Sequence, residues 1–219
     1  MTPPLLVIGN KNYSSWSLRP WLFLKHHGID FEERRIALYT PGAKDRILAY
    51  SPAGKVPILV DGKTKVWDSL AILEYLAERY AQTQGWPVAS STRAMARAVC
   101  AEMHSGFGAM REQMCMNVRK QFKAREWPAE VQTDINRIQE IWLQCRERHG
   151  RGGPFLFGRF GIVDAMFAPV VWRFANYSVS LDPKAEAYRD TMLALPAMRQ
   201  WQTEAEAEPE VLPQFEMAY

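Results

Sequence analysis

Three short polar runs, each set against an apolar segment near the start of the chain, carry the residue types that could do chemistry. The first is Ser14-Ser15-Trp16-Ser17-Leu18-Arg19, soon after the apolar run Leu5-Leu6-Val7-Ile8. A strand that hands over to a helix here leaves the helix's first N–H groups unpaired, with about half a positive charge at that end. Hydroxyls held there can stabilise an anion, and a thiolate gains most reactivity from such a site. Serines are also preferred N-caps, so simple capping is the competing reading. The second run is Lys55-Val56-Pro57, directly before Ile58-Leu59-Val60. By pattern alone Pro57 is an ordinary trans proline at a strand edge; a cis bond would instead turn the Val56 backbone outward toward an extended peptide. The third is Asp68-Ser69, ahead of the run Leu70 to Tyr80. It either caps a helix or receives a ligand carboxylate at Ser69 and a ligand ammonium at Asp68.

The elements that must position these runs follow from periodicity. Leu18, Trp21, Leu22 and Leu24 have amphipathic helical spacing, Pro20 fits a first turn, and Gly28 stops the helix. Phe31 to Ile36 predicts a charged edge strand. Asp61-Gly62 predicts a tight hairpin between Ile58-Leu59-Val60 and Lys65-Val66-Trp67. Ile72, Leu73, Leu76 and Tyr80 mark one face of the next helix. No Gly-rich phosphate loop is present, so no nucleotide is implied. The polar segment 81–91, with Gly85 and Pro87, predicts a linker between residues 1–80 and an all-helical half over 92–219. That half is expected to hold one long helical stretch over 92–120, bent near Gly106 and Gly108. Further helices are expected over 129–149, 162–172 and 196–206.

The three runs, in this order along one chain, resemble the N-terminal domain of cytosolic glutathione transferases. The resemblance implies an α/β, thioredoxin-like domain followed by an all-α domain, with glutathione as co-substrate and no metal. It implies a cis Val56-Pro57 bond, with Val56 pairing to the cysteinyl backbone and Lys55 assisting a ligand carboxylate. Asp68 and Ser69 would hold the γ-glutamyl group, with Ser17 also in the glutathione set. Ser14 is the first choice for the sulfur contact, and Ser15 the alternative if the helix starts one residue later. The Ser-Ser-x-Ser-x-Arg run most resembles the zeta class (maleylacetoacetate isomerases), but Trp16 stands where that class has Cys, and Trp21 replaces a second Arg. In the helical half, Gly161-Ile162-Val163-Asp164 resembles the family's buried capping motif, with Gly161 in the hydroxyl position. Met103, Phe107, Met110 and Arg111, with Trp16, are expected to line the second-substrate side of a cleft; core packing is the alternative for the apolar ones. Arg111 is read either as a carboxylate or carbonyl holder or as a surface ion pair. The implied activity is attack of a glutathione thiolate on a small hydrophobic electrophile. The alternatives are a maleylacetoacetate-type isomerase and a non-catalytic binding module.

Composition narrows the field further. The chain has 219 residues, 47% hydrophobic, and a net charge of +3. No apolar run spans a membrane, and the basic cluster Arg119, Lys120, Lys123, Arg125 reads as a solvated helix end, so neither membrane nor nucleic acid is an expected partner. Cys100, Cys115 and Cys145 have no metal-ligand spacing and are expected as buried thiols in a reducing cytoplasm. A homodimer is the family expectation.

Overall fold

The computed structural model describes residues 2–216. Strand β1 (Leu5–Ile8), helix α1 (Ser15–His26) and strand β2 (Glu32–Arg35) form a unit with β1 and β2 parallel. Helix α2 (Ala43–Leu48) leads into an antiparallel hairpin, β3 (Ile58–Asp61) and β4 (Thr64–Trp67), and α3 (Ser69–Arg79) closes this half. The sheet order is β2-β1-β3-β4. Apolar β1 lies inside it, and Glu32-Glu33-Arg34-Arg35 is exposed throughout, a charged edge that resists pairing with another chain. Gly28, at φ +60°, ends α1 while Ile29 N–H returns to the Leu24 carbonyl at 3.0 Å. α2 was not anticipated, because six residues carry too little periodicity to register.

The remaining helices are α4 (Ser90–Ser105), α5 (Gly108–Gln113), α6 (Ala129–His149), α7 (Ile162–Asn176), α8 (Pro183–Leu193) and α9 (Pro196–Glu206). The single stretch expected over 92–120 is broken. Gly106 is extended, Phe107 takes φ +63°, and Arg111 turns back from α5, donating to the Gly106 carbonyl at 3.0 Å and to the Met103 carbonyl. These bonds satisfy carbonyls that the end of α4 leaves unpaired. After α5 the chain is irregular to residue 128, so the basic cluster is no helix end: Arg119 donates to the Glu208 and Glu210 carbonyls and Lys120 pairs with Glu216.

α7 is buried at every residue but Ala175. Its start is held by Asp164, whose Oδ1 accepts from Leu156 N and Tyr188 Oη and whose Oδ2 accepts from Gly161 N, at 3.0 to 3.1 Å. Burial pushes this carboxyl up to about 6 against the pull of those three donors. Gly161 has a reason of its own. A Cβ there would lie 2.8 Å from the Gly85 carbonyl oxygen, which accepts the Ile162 N–H at 3.0 Å.

Two outcomes are expected from this packing. Asp164→Ala strands three buried donors at about 1–3 kcal/mol each, so chemical denaturation should show a loss of about 3 kcal/mol or more. The His27 ring, 4.5 Å from Phe23, has a buried Nε2 without a partner, and burial followed by His26 holds it down to about 4. The unfolded chain therefore binds a proton that the folded one refuses between pH 6.5 and about 4, and this contribution is lost as pH falls through that window. Thermal melts of His27→Phe beside wild type should diverge there, with wild type losing more.

Candidate active site

Ser14 is the N-cap of α1 and Ser15 its first residue, yet the Ser14 side chain makes no cap bond. Its Oγ lies 2.7 Å from the Oγ of Ser17, which also accepts the Gly9 N–H at 3.1 Å. Ser14 and Ser15, each 7% exposed, open onto a cleft of about 620 Å³ between the two halves; Trp16, Lys55, Val56 and Arg111 line it too. Ser17 does not reach the cleft. It is fully buried behind Ser14, which corrects its expected place among ligand contacts. The Val56–Pro57 bond is cis, unlike the trans reading of the bare pattern.

Trp16, Lys55 and Val56 also line an adjoining pocket of about 310 Å³ with Pro57, Asp68, Ser69 and His104. Asp68 caps α3 through Oδ1, which accepts from Leu70 N at 2.9 Å and Ala71 N at 3.4 Å. Its backbone sits at φ +76°, a region that costs a non-glycine residue about 1–3 kcal/mol and that recurs at functional sites. Oδ2 pairs with His104 Nε2 at 3.1 Å, across from the helical half. Ser69 Oγ accepts from Arg19 Nη1 at 3.3 Å. Arg19 itself is wholly buried, donates to the Met166 carbonyl at 3.1 Å and leaves Nη2 unpartnered. Burial lowers its pKa, and the charges of Arg111 and Arg173 lower it further.

The apolar stripe expected on the cleft wall is elsewhere. Met103 and Met110 are fully buried and Phe107 is 7% exposed; all three belong to the core, because the break at Gly106 and Phe107 sends α5 off the line of α4. Of that group only Arg111 lines the cleft. The apolar lining comes instead from Met116, Leu38 and Phe215, beside Cys115, which is half-buried and not sealed in the core as expected. Arg173 also reaches the cleft from α7. It was missed although the sequence held a signal: it and Asp164 are the charged residues of a fifteen-residue helix that is otherwise apolar but for its last residue, Asn176. Among the described residues no cluster of three His, Cys, Asp or Glu could hold a metal ion, and no helix is long and apolar enough to cross a membrane.

Comparison with known proteins agrees with this geometry. The glutathione S-transferase N-terminal domain model matches residues 13–79, and the C-terminal domain model matches residues 125–201. A maleylacetoacetate isomerase from Pseudomonas aeruginosa is 29% identical over 197 residues, 87% of this chain and 91% of that protein. A dichloromethane dehalogenase from Methylophilus leisingeri is 38% identical over 69 residues, 29% of this chain; the match spans only 25% of the dehalogenase. In fold, a glutathione transferase homolog from Burkholderia strain BGR1, solved with bound glutathione, superposes with a TM-score of 0.70 at 24% identity, over 94% of this chain and 100% of that one. Motifs, fold and both domain models coincide in order along the sequence, and the chain belongs to the glutathione S-transferase family.

Proposed function

We propose that the protein is a glutathione transferase that activates the thiol through Ser14. The observation that carries this reading is the Ser14–Ser17 hydroxyl pair at 2.7 Å, at the positive end of α1 and opening onto the cleft. In this reading Ser17, which accepts from Gly9, gives its own proton to Ser14 Oγ, and the Ser14 proton is then free to donate to sulfur. A free thiol has a pKa of about 8.5, and lowering it by two units takes roughly 2.7 kcal/mol of preference for the anion. One charge-assisted hydrogen bond and a helix terminus are of that size. The thiolate then forms a C–S bond, the leaving group departs with its electron pair, and the thiol proton passes to solvent.

Glutathione is oriented by the Val56 backbone, with Lys55 near one of its carboxylates. Ser69 accepts from Arg19, so its own proton is available to the γ-glutamyl carboxylate, while Asp68 takes the ammonium. Trp16 and Arg111 face the second substrate. A cytoplasmic homodimer through α3 and α4 is the assembly that the family suggests. A glutathione-dependent isomerase is a second reading, favoured by the isomerase relative matched over 91% of its length. Trp16 in the zeta-class Cys position counts against it.

Ultraviolet absorbance of bound glutathione thiolate against pH tests the assignment. Ser14→Ala should raise the apparent thiol pKa and lower turnover at neutral pH about ten- to a hundredfold, while glutathione affinity changes much less. Ser17→Ala should move the pKa in the same direction by a smaller step, since Ser14 survives but loses its fixed orientation. Unchanged turnover in Ser14→Ala would transfer the sulfur contact to Ser15.

A further inference from the structure

The charges around the cleft do not balance. Among the described residues Lys44, Lys55, Arg111 and Arg173 all line it, and no Asp or Glu does. In the transferase reading, on which this inference rests, glutathione brings carboxylates to the Lys44 and Lys55 side, next to Val56. Arg111 and Arg173 lie on the other side, on α5 and α7 of the helical half. Among the described residues neither has a carboxylate within ion-pair distance.

Arg173 is the more demanding of the two. It is 5% exposed, its Nε donates to the Met114 carbonyl at 2.7 Å, and its Nη1 is buried with no partner. Burial first, and the Arg111 charge second, hold its pKa down to about 10. Arg111 spends its Nε and Nη2 on carbonyls, which satisfy protons but do not neutralise charge. A desolvated guanidinium without a counterion is costly, and a neutral electrophile would leave both cations as they stand. A planar carboxylate matches the guanidinium fork and would neutralise charge at the same point.

We propose that the second substrate carries a carboxylate, held by Arg173 and Arg111, while its electrophilic carbon faces the sulfur at Ser14. Trp16, Met116 and Phe215 give the cleft apolar walls, so the substrate class is an unsaturated or aromatic acid. This narrows the small hydrophobic electrophile expected from the sequence to one that carries an acid group.

Product conjugates test this without depending on turnover. One is the glutathione conjugate of a para-carboxy, ortho-nitro aryl chloride; the other is its uncharged carboxamide twin. Both, with glutathione itself as a parallel titrant, are measured by calorimetry against the whole protein. Wild type should bind the carboxylate conjugate about ten- to a hundredfold tighter than the carboxamide, the range of a charge-assisted contact. Arg173→Gln should bring that ratio close to one, and Arg173→Lys should retain part of it. A wild-type ratio near one, with glutathione binding normally, overturns the acid-site proposal and leaves the transferase reading intact. A ratio undiminished in both Arg173→Gln and Arg111→Gln overturns it as well. Failure of glutathione to bind wild type removes both readings together. The wild-type ratio decides the matter even where Arg173→Gln does not fold.

Discussion

α7 is buried along nearly its whole length, so the N–H groups of its first turn have no water to turn to and must be satisfied by protein. The Gly85 carbonyl accepts from Ile162 and Asp164 accepts from the N-cap Gly161, while Asp164 also ties the helix to the loop at Leu156 and to Tyr188 of α8. What α7 then carries is the framework of the site. Its Met166 carbonyl holds Arg19, and Arg19 holds Ser69 at the start of α3. One turn before its end, Arg173 reaches the cleft, and Asn176 donates to the carbonyls of Asn117 and Val118 in the irregular segment after α5. A shift in the start of α7 would thus move Ser69 at the start of α3, the Arg173 side of the cleft and that segment together.

The opposite flank of the Ser14 turn is fixed by charge. Lys11, 4% exposed, pairs with Glu33 at 2.7 Å and with Glu204 of α9, while Glu208 accepts the backbone N–H groups of Lys11 and Asn12. Trp201 of α9 donates to the Lys11 carbonyl at 2.9 Å. Ion pairs with one buried partner, such as these, often add little net stability, because desolvation of that partner offsets attraction. Their effect here is geometric: residues 10–13, which lead into Ser14, are bonded on both sides by groups far away in sequence. If Ser14 meets a sulfur, as proposed, its hydroxyl benefits from such a support.

The three polar runs were legible because each depends on local chemistry: a helix start, a proline at a strand edge, a capped helix. Helices α6 and α9 were legible to the residue, since their apolar spacing is unbroken. The cleft wall was not. Met103 and Met110 lie at helical spacing, but Gly106 and Phe107 break the helix between them, and the bonds that stabilise the break come from Arg111 and, at Met110 N, from Asp134 of α6. Asp134 is far from Met110 in sequence, and such a partner leaves no trace in a local window. Ser17 failed as a ligand residue for a related reason. Helical spacing places it near Ser14 but does not say which of two hydroxyls faces the cleft. Gly161 stands in the hydroxyl position of the capping motif, and the nearby Gly85 carbonyl makes it the residue that fits.

Trp16 now has a physical role that its departure from the zeta-class pattern did not reveal. Two guanidiniums lie over its ring, Arg19 at 4.2 Å and Arg111 at 5.0 Å, and the ring meets the edge of His104 at 5.3 Å. Each cation–π contact contributes about 0.5–2 kcal/mol, depending on how dry the site is. The ring therefore attracts both cations, and the charges of Asp68 on Arg19 and of Asp134 on Arg111 add to that stabilisation. A cysteine at this position would offer neither the face nor the bulk. Trp16 and the arginines belong to one arrangement: the aromatic ring helps the cations stand together beside the cleft, and under the proposed reading their field adds to that of the α1 terminus in favouring a thiolate over a thiol.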